Sequence, residues 1–209
     1  MNSNPVVVVL AAGKGSRFAG VRHKLEQPLG RSSVLGTTLS NALSSELPVV
    51  VVTTQSLSAT VLRYVAARDM VVLPDDALSR GMGDSLAAGV AARSQASGWV
   101  VLPADMPLIR AQTIVQVAAE LDTCPVVYAQ HRGRRGHPVA FAAELYSELV
   151  KLSGDEGARR LLGRYPTHGV DVYDAGVLAD IDTTDDLLAV QRAHDEIAFP
   201  RTASGPLMD

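Results

Sequence analysis

The chain has 209 residues, long enough for one sizeable hydrophobic core, and a net charge of −3 that excludes a long-range basic field for duplex nucleic acid. Hydrophobic residues make up 47% and aromatics only 4%, a bias towards Val, Ala and Leu that suits buried parallel strands covered by helices. A single cysteine, Cys124, rules out an intrachain disulfide and is read as a small core residue in a reducing cytoplasm.

The first apolar run, Val6 to Leu10, follows a segment without Lys or Arg and is read as a strand, not a signal sequence. Further Val-rich runs fall at 49–53, 71–73, 99–102 and 125–129. Helical periodicity lies between most of them, at 34–44, 57–68, 83–94, 111–121 and 184–194, with a shorter helix at 156–162. This alternation predicts an α/β fold in three layers around a mostly parallel open sheet. After residue 130 the rhythm loosens through a glycine and arginine loop, the run 137–141, and an antiparallel or irregular stretch at 169–181 that adds an edge to the sheet. Residues 1–197 are expected to form one domain, and 198–209 a flexible tail. No apolar stretch approaches the roughly 20 residues that span a bilayer, so a cytoplasmic protein without membrane or nucleic-acid partners is expected.

In open α/β sheets ligands collect at the carboxyl ends of the strands. The first strand ends in Leu10-Ala11-Ala12-Gly13-Lys14-Gly15-Ser16-Arg17, which holds GxG without the third glycine of a dinucleotide fingerprint. Thr53 and Thr54 stand where such a fold places its ribose-binding acid. No GxxxxGK[ST], HExxH or GxSxG pattern is present, which disfavours P-loop, zinc-hydrolase and serine-nucleophile chemistry. What remains is a small-residue loop with Arg17 and Lys24 behind it, a tight turn with solvated cations or a cradle for phosphates. Asp105, between Pro103 and Pro107 at a strand tip, lies too far before the next helix to cap it, and suits a hard cation. Asp182 is either a second carboxylate of that kind or, like Thr183, an N-cap of the last helix. Gly81 to Ser85 opens a helix, whose free N–H groups suit an anion or a base edge as well as an ordinary cap. Arg132, Arg134 and Arg135 form a basic loop that faces an acidic substrate or, as is commoner, solvent.

Together and in this order, LAAGKGSRF (10–18) with Lys24, GMGDSL (81–86), PADMPL (103–108), GHPVAF (136–141), SGDEGAR (153–159) and DIDTTDDL (180–187) resemble the molybdenum cofactor nucleotidyltransferases. The likeness is greatest to those that act as cytidylyltransferases, and covers residues 6–192. It implies a Rossmann-like nucleotidyltransferase fold and Mg²⁺-dependent transfer from a nucleoside triphosphate to a phosphorylated, molybdenum-loaded pterin, with a molybdenum oxidoreductase as a further partner. On the same likeness Leu10, Ala11, Ala12 and Gly13 line base and ribose, with Gly81 and Ser85 aiding base recognition. Arg17 and Lys24 hold the triphosphate and act in catalysis, Asp105 and Asp182 bind Mg²⁺, and His137 and Asp155 lie towards the pterin. LAAG, where GTP-using relatives tend to carry LAGG, favours CTP. The Arg17 to Lys24 spacing is about two residues longer than in many relatives, with Arg22 added. The alternatives are transfer to a sugar, polyol or phospholactate phosphate, and a non-catalytic pterin-delivery protein.

Overall fold

The structure is a computed structural model and describes residues 4–13, 15, 18, 22–74, 81–154 and 158–198. Along the chain lie β1 (Val6–Ala11), β2 (Pro28–Leu29), β3 (Ser32–Ser33), α1 (Val34–Leu43), β4 (Val49–Thr54), α2 (Gln55–Val61), β5 (Met70–Leu73), α3 (Met82–Ala91) and β6 (Gly98–Pro103). There follow α4 (Ala111–Ala119), β7 (Val126–His131), β8 (Arg134–Ala142), α5 (Tyr146–Leu149), α6 (Arg159–Arg164), β9 (Thr167–Asp171) and α7 (Thr184–Ala198).

Seven strands form one sheet in the order β5-β4-β1-β6-β8-β7-β9, and β2 pairs with β3 beside it. β5, β4, β1 and β6 are mutually parallel, whereas β8 runs antiparallel to both of its neighbours. The runs VVVV in β1 and β4 are apolar without alternation because both faces of these strands are buried. Val7, Val9, Val51, Val100 and Leu102 face a core shared with α1, α2, α4 and α7. Val6, Val8, Val50, Val52, Trp99 and Val101 face a second core, closed by α3, α5 and α6. The three-layer, mostly parallel architecture is therefore as expected. Gly89 brings α3 down onto the sheet: a Cβ there would stand 2.4 Å from Val8 Cγ1 and 2.9 Å from Val52 Cγ2.

Three local expectations need correction. The helix expected at 57–68 ends at Val61, and the chain continues in tighter turns, Arg63 and Tyr64 donating to Thr60 and Val61, which bring Val65 into the core. The arginine loop is a two-residue hairpin: Arg132 (φ 51°) and Gly133 (φ 73°) make the turn, and Arg134 and Arg135 already belong to β8. The stretch from 169 opens in β9, an edge strand as expected but parallel to β7. The segment after β8 returns the chain to the sheet end where β8 finished, so the next strand runs opposite to β8. The short helix expected at 156–162 is α6, at 159–164, while 155–157 and the expected tail from 199 onward lie outside the described residues. None of the described helices is long and apolar enough to cross a membrane.

Candidate active site

The parallel strands deliver their carboxyl ends to one edge of the sheet, and antiparallel β8 delivers its first residues there too. A cleft of about 730 Å³ opens at this edge. Its floor carries Leu10, Ala12, Gly13 and Pro103, its sides Gly81, Met82 and Ser85 of the α3 entrance, and its far wall Arg134 to His137 with Asp180 and Asp182. Ala11, expected beside its neighbours, is fully buried in the core shared with α1, because alternation along β1 turns its side chain to the other face.

Lys24 opens a short 3₁₀ turn, and the residue, only 8% exposed, lines the cleft. It donates to Asp105 Oδ2 at 2.6 Å, to the carbonyl of Ile181 at 2.8 Å and to Asp182 Oδ1 at 3.2 Å. The two acids, read separately from the sequence, thus meet on one cation. Backbone contacts fix them there. Ala104 N–H donates to Leu10 O, tying the Asp105 segment to β1, and Ile181 N–H donates to Asp105 O. From α1, Thr38 and Asn41 donate to the carbonyls of Ala104 and Pro107.

The capping alternative for Asp182 is settled by its neighbours. Thr183 Oγ1 accepts from Asp186 N–H, and Asp186 Oδ2 accepts from the N–H groups of Asp182 and Thr183 and from the Thr183 hydroxyl, a reciprocal cap of α7. Those hydrogen bonds, the Thr183 hydroxyl first, hold the Asp186 carboxyl below the ordinary range. Asp182 is left to face Lys24. Asp105 likewise caps nothing: the entrance of α4 is served by Asp174, whose Oδ2 accepts from Arg110 N–H and the Thr113 hydroxyl.

His137 faces the cleft, and burial pushes its imidazole below the ordinary value against the pull of Asp105 and Asp180. Gly81, at φ 106° and ψ −178°, precedes α3 in a backbone region that other residues hardly enter. Gly83 N–H donates to Gly154 O, and Asp84 accepts from Gly154 N–H, which docks Gly154 on the α3 entrance. Arg17 and Asp155, both expected at the site, lie outside the described residues.

One residue escaped sequence reasoning. His23 Nδ1 accepts from Leu25 N–H, which leaves the proton on Nε2 to donate to Gly13 O at 3.0 Å. His23 therefore clips the glycine loop to the turn that carries Lys24. Only its position next to Lys24 pointed to this, since a lone histidine in a loop carries no pattern. Arg134 and Arg135, read as a loop facing substrate or solvent, line the cleft.

The donor set suits a hard divalent cation. Two carboxylates and a carbonyl already converge on a positive charge, and oxygen donors of this kind favour Mg²⁺ or Mn²⁺ over softer metals. Among the described residues no group of three or more His, Cys, Asp or Glu is placed to hold a metal, so remaining ligands would come from substrate and water.

Comparison with known proteins gives the family. The family model described as a MobA-like NTP transferase domain matches residues 7–170. The purine catabolism protein PucB of Bacillus subtilis is 33% identical over 202 residues, covering 89% of this chain and 95% of its own length. The molybdenum cofactor cytidylyltransferase of Escherichia coli is 23% identical over 190 residues, covering 91% and 97%. Among solved structures, Rv0371c of Mycobacterium tuberculosis superposes with a TM-score of 0.78 at 28% identity, covering 91% of this chain and 99% of that one. A second structure of that protein, at 26% identity and TM-score 0.75 over 91% and 100%, is a complex with manganese. The chain belongs to the MobA-like NTP transferase family.

Proposed function

We propose that this nucleotidyltransferase moves a cytidylyl group from CTP to the phosphate of a molybdenum-loaded pterin, releasing pyrophosphate. The observation that carries the reading is the Lys24 ammonium held between Asp105 and Asp182 in the cleft that the LAAG loop also lines. CTP is favoured by LAAG, and the pterin by likeness to the Escherichia coli cytidylyltransferase along nearly its whole length.

The chemistry follows from charge. A phosphate monoester is close to a dianion at pH 7, because its second pKa is about 6. One of its oxygens attacks the α-phosphorus, the bond from that phosphorus to the β-phosphate oxygen breaks, and pyrophosphate leaves with the electron pair. No general base is needed, and neutral His137 fits a binding role. The protein's task is to align the two phosphates and to offset their repulsion. Leu10, Ala12 and Gly13 present backbone that a nucleoside can approach closely, with Gly81 and Ser85 across the cleft. Arg17 and Lys24 neutralise the triphosphate. Before substrate arrives, Lys24 holds Asp105 and Asp182 against their mutual repulsion. When bound, Mg²⁺ would be held by Asp105 and Asp182 with triphosphate oxygens and would neutralise the departing pyrophosphate.

The test is a nucleotide-by-acceptor panel with Mg²⁺, measuring pyrophosphate. Release that requires both CTP and the pterin supports the proposal; release with a sugar or polyol phosphate instead moves the acceptor, and tight binding without turnover makes the protein a carrier.

A further inference from the structure

Arg134 and Arg135 are two cations in the cleft for which no carboxylate lies within ion-pair distance among the described residues. They are not on a loose loop. The two-residue turn fixes their strand, with Arg134 opposite His131 and Arg135 opposite Gln130. The Arg135 guanidinium lies 4.5 Å from the centre of the Tyr128 ring, which orients it while leaving its N–H groups available. Gly136 anchors the next position: a Cβ there would stand 2.0 Å from Val177 O, so β8 lies directly against the segment that leads to Asp180 and Asp182. The strand that carries the arginines is thus held in fixed relation to the segment that leads to the acidic pair.

Their place in the sheet says what they serve. The order across the cleft is β1, β6, β8. The glycine loop follows β1, Asp105 follows β6, and the arginines open β8. With neighbouring strands about 4.8 Å apart, the arginines lie about 10 Å from the line of β1 and on the far side of Asp105. A nucleotide seated over β1 therefore brings its reacting phosphorus over β6 and leaves β8 to the other substrate. The planar fork of a guanidinium matches a phosphate dianion in geometry as well as charge.

We propose that Arg134 and Arg135 form the acceptor subsite and bind the phosphate monoester of the molecule that receives the nucleotidyl group. The proposal rests on the transferase reading of the cleft, but not on the acceptor being a pterin. Engaging two phosphate oxygens leaves the third to attack.

The test compares the wild-type protein with Arg134→Gln, Arg135→Gln and, as a control for net charge outside the cleft, Arg164→Gln. Acceptor KM and CTP affinity are measured separately, the latter by calorimetry with Mg²⁺. Losing one charge-assisted contact is expected to raise the acceptor KM by about 10- to 100-fold. CTP affinity in both cleft variants and acceptor KM in Arg164→Gln should stay within about twofold of wild type. Unchanged acceptor KM in both cleft variants, or an equal loss of CTP binding, overturns the subsite. Should the wild-type protein not turn over the pterin, inorganic phosphate and sugar and polyol phosphates are titrated onto the CTP-bound protein. Binding that weakens in the arginine variants then upholds the subsite while the pterin assignment falls, and binding that is absent or indifferent to them overturns it.

Discussion

Lys24→Met tests the cation bridge. The substitution keeps the aliphatic bulk and removes the charge from between two carboxylates whose side chains are only 20% and 26% exposed. At an effective dielectric of about 20 and a separation of about 5 Å, two such charges repel by about 3 kcal/mol. Removing one partner of a buried pair costs roughly 3–5 kcal/mol, and partial exposure of the acids puts this site at the lower end, about 3 kcal/mol. For a chain of this size that lowers Tm by about 6–12 °C. The same substitution empties the place that a divalent cation needs, so millimolar Mg²⁺ should restore most of the loss in Lys24→Met and shift the wild-type protein much less. The assay is thermal unfolding with and without Mg²⁺, alongside pyrophosphate release, which should be lost. A variant as stable as wild type without metal, or one that Mg²⁺ does not stabilise, would refute the claim that Lys24 holds the acids together in a cation site.

Asp105→Ala should fold, because Lys24 keeps Asp182 and the Ile181 carbonyl, yet lose about 10²-fold or more in transfer rate; near-normal Mg²⁺-dependent pyrophosphate release would sink its assignment. Gly81→Ala forces a side chain into φ 106°, ψ −178°, at a cost of about 1–3 kcal/mol read by urea denaturation, and a change below about 0.5 kcal/mol would contradict the strained entrance of α3. His137 carries a pKa below its ordinary value of about 6.5, so between the two the unfolded chain binds more protons than the native one. Metal-free stability should therefore be fully present above about pH 6.5 and fall as the pH drops through that window. His137→Gln should flatten this slope, and an unchanged slope would show that the imidazole is not shielded.

Legibility in the sequence followed from whether a residue's partner is local. Buried parallel strands advertise themselves as Val runs, which gave β1, β4 and β6 within a residue, and Asp105 stood out because nothing nearby needed it. Asp182 was ambiguous, since the decision lay in Asp186, one turn ahead, reaching back to Thr183. The arginine hairpin was missed because its turn places a non-glycine residue, Arg132, at positive φ, against the usual Asn-Gly signal. Asp174 capping α4 from 64 residues away, and Lys24 joining acids 81 and 158 residues downstream, have no local signature at all.

The central claim is most directly tested by following the label from CTP carrying a radioactive α-phosphate, incubated with the protein, Mg²⁺ and molybdenum-loaded pterin. The account predicts that the label moves to a product containing the pterin, one for each pyrophosphate released, and that Asp105→Ala abolishes the transfer. Label that stays on CTP, or leaves it as free CMP while the pterin remains unmodified, would contradict it.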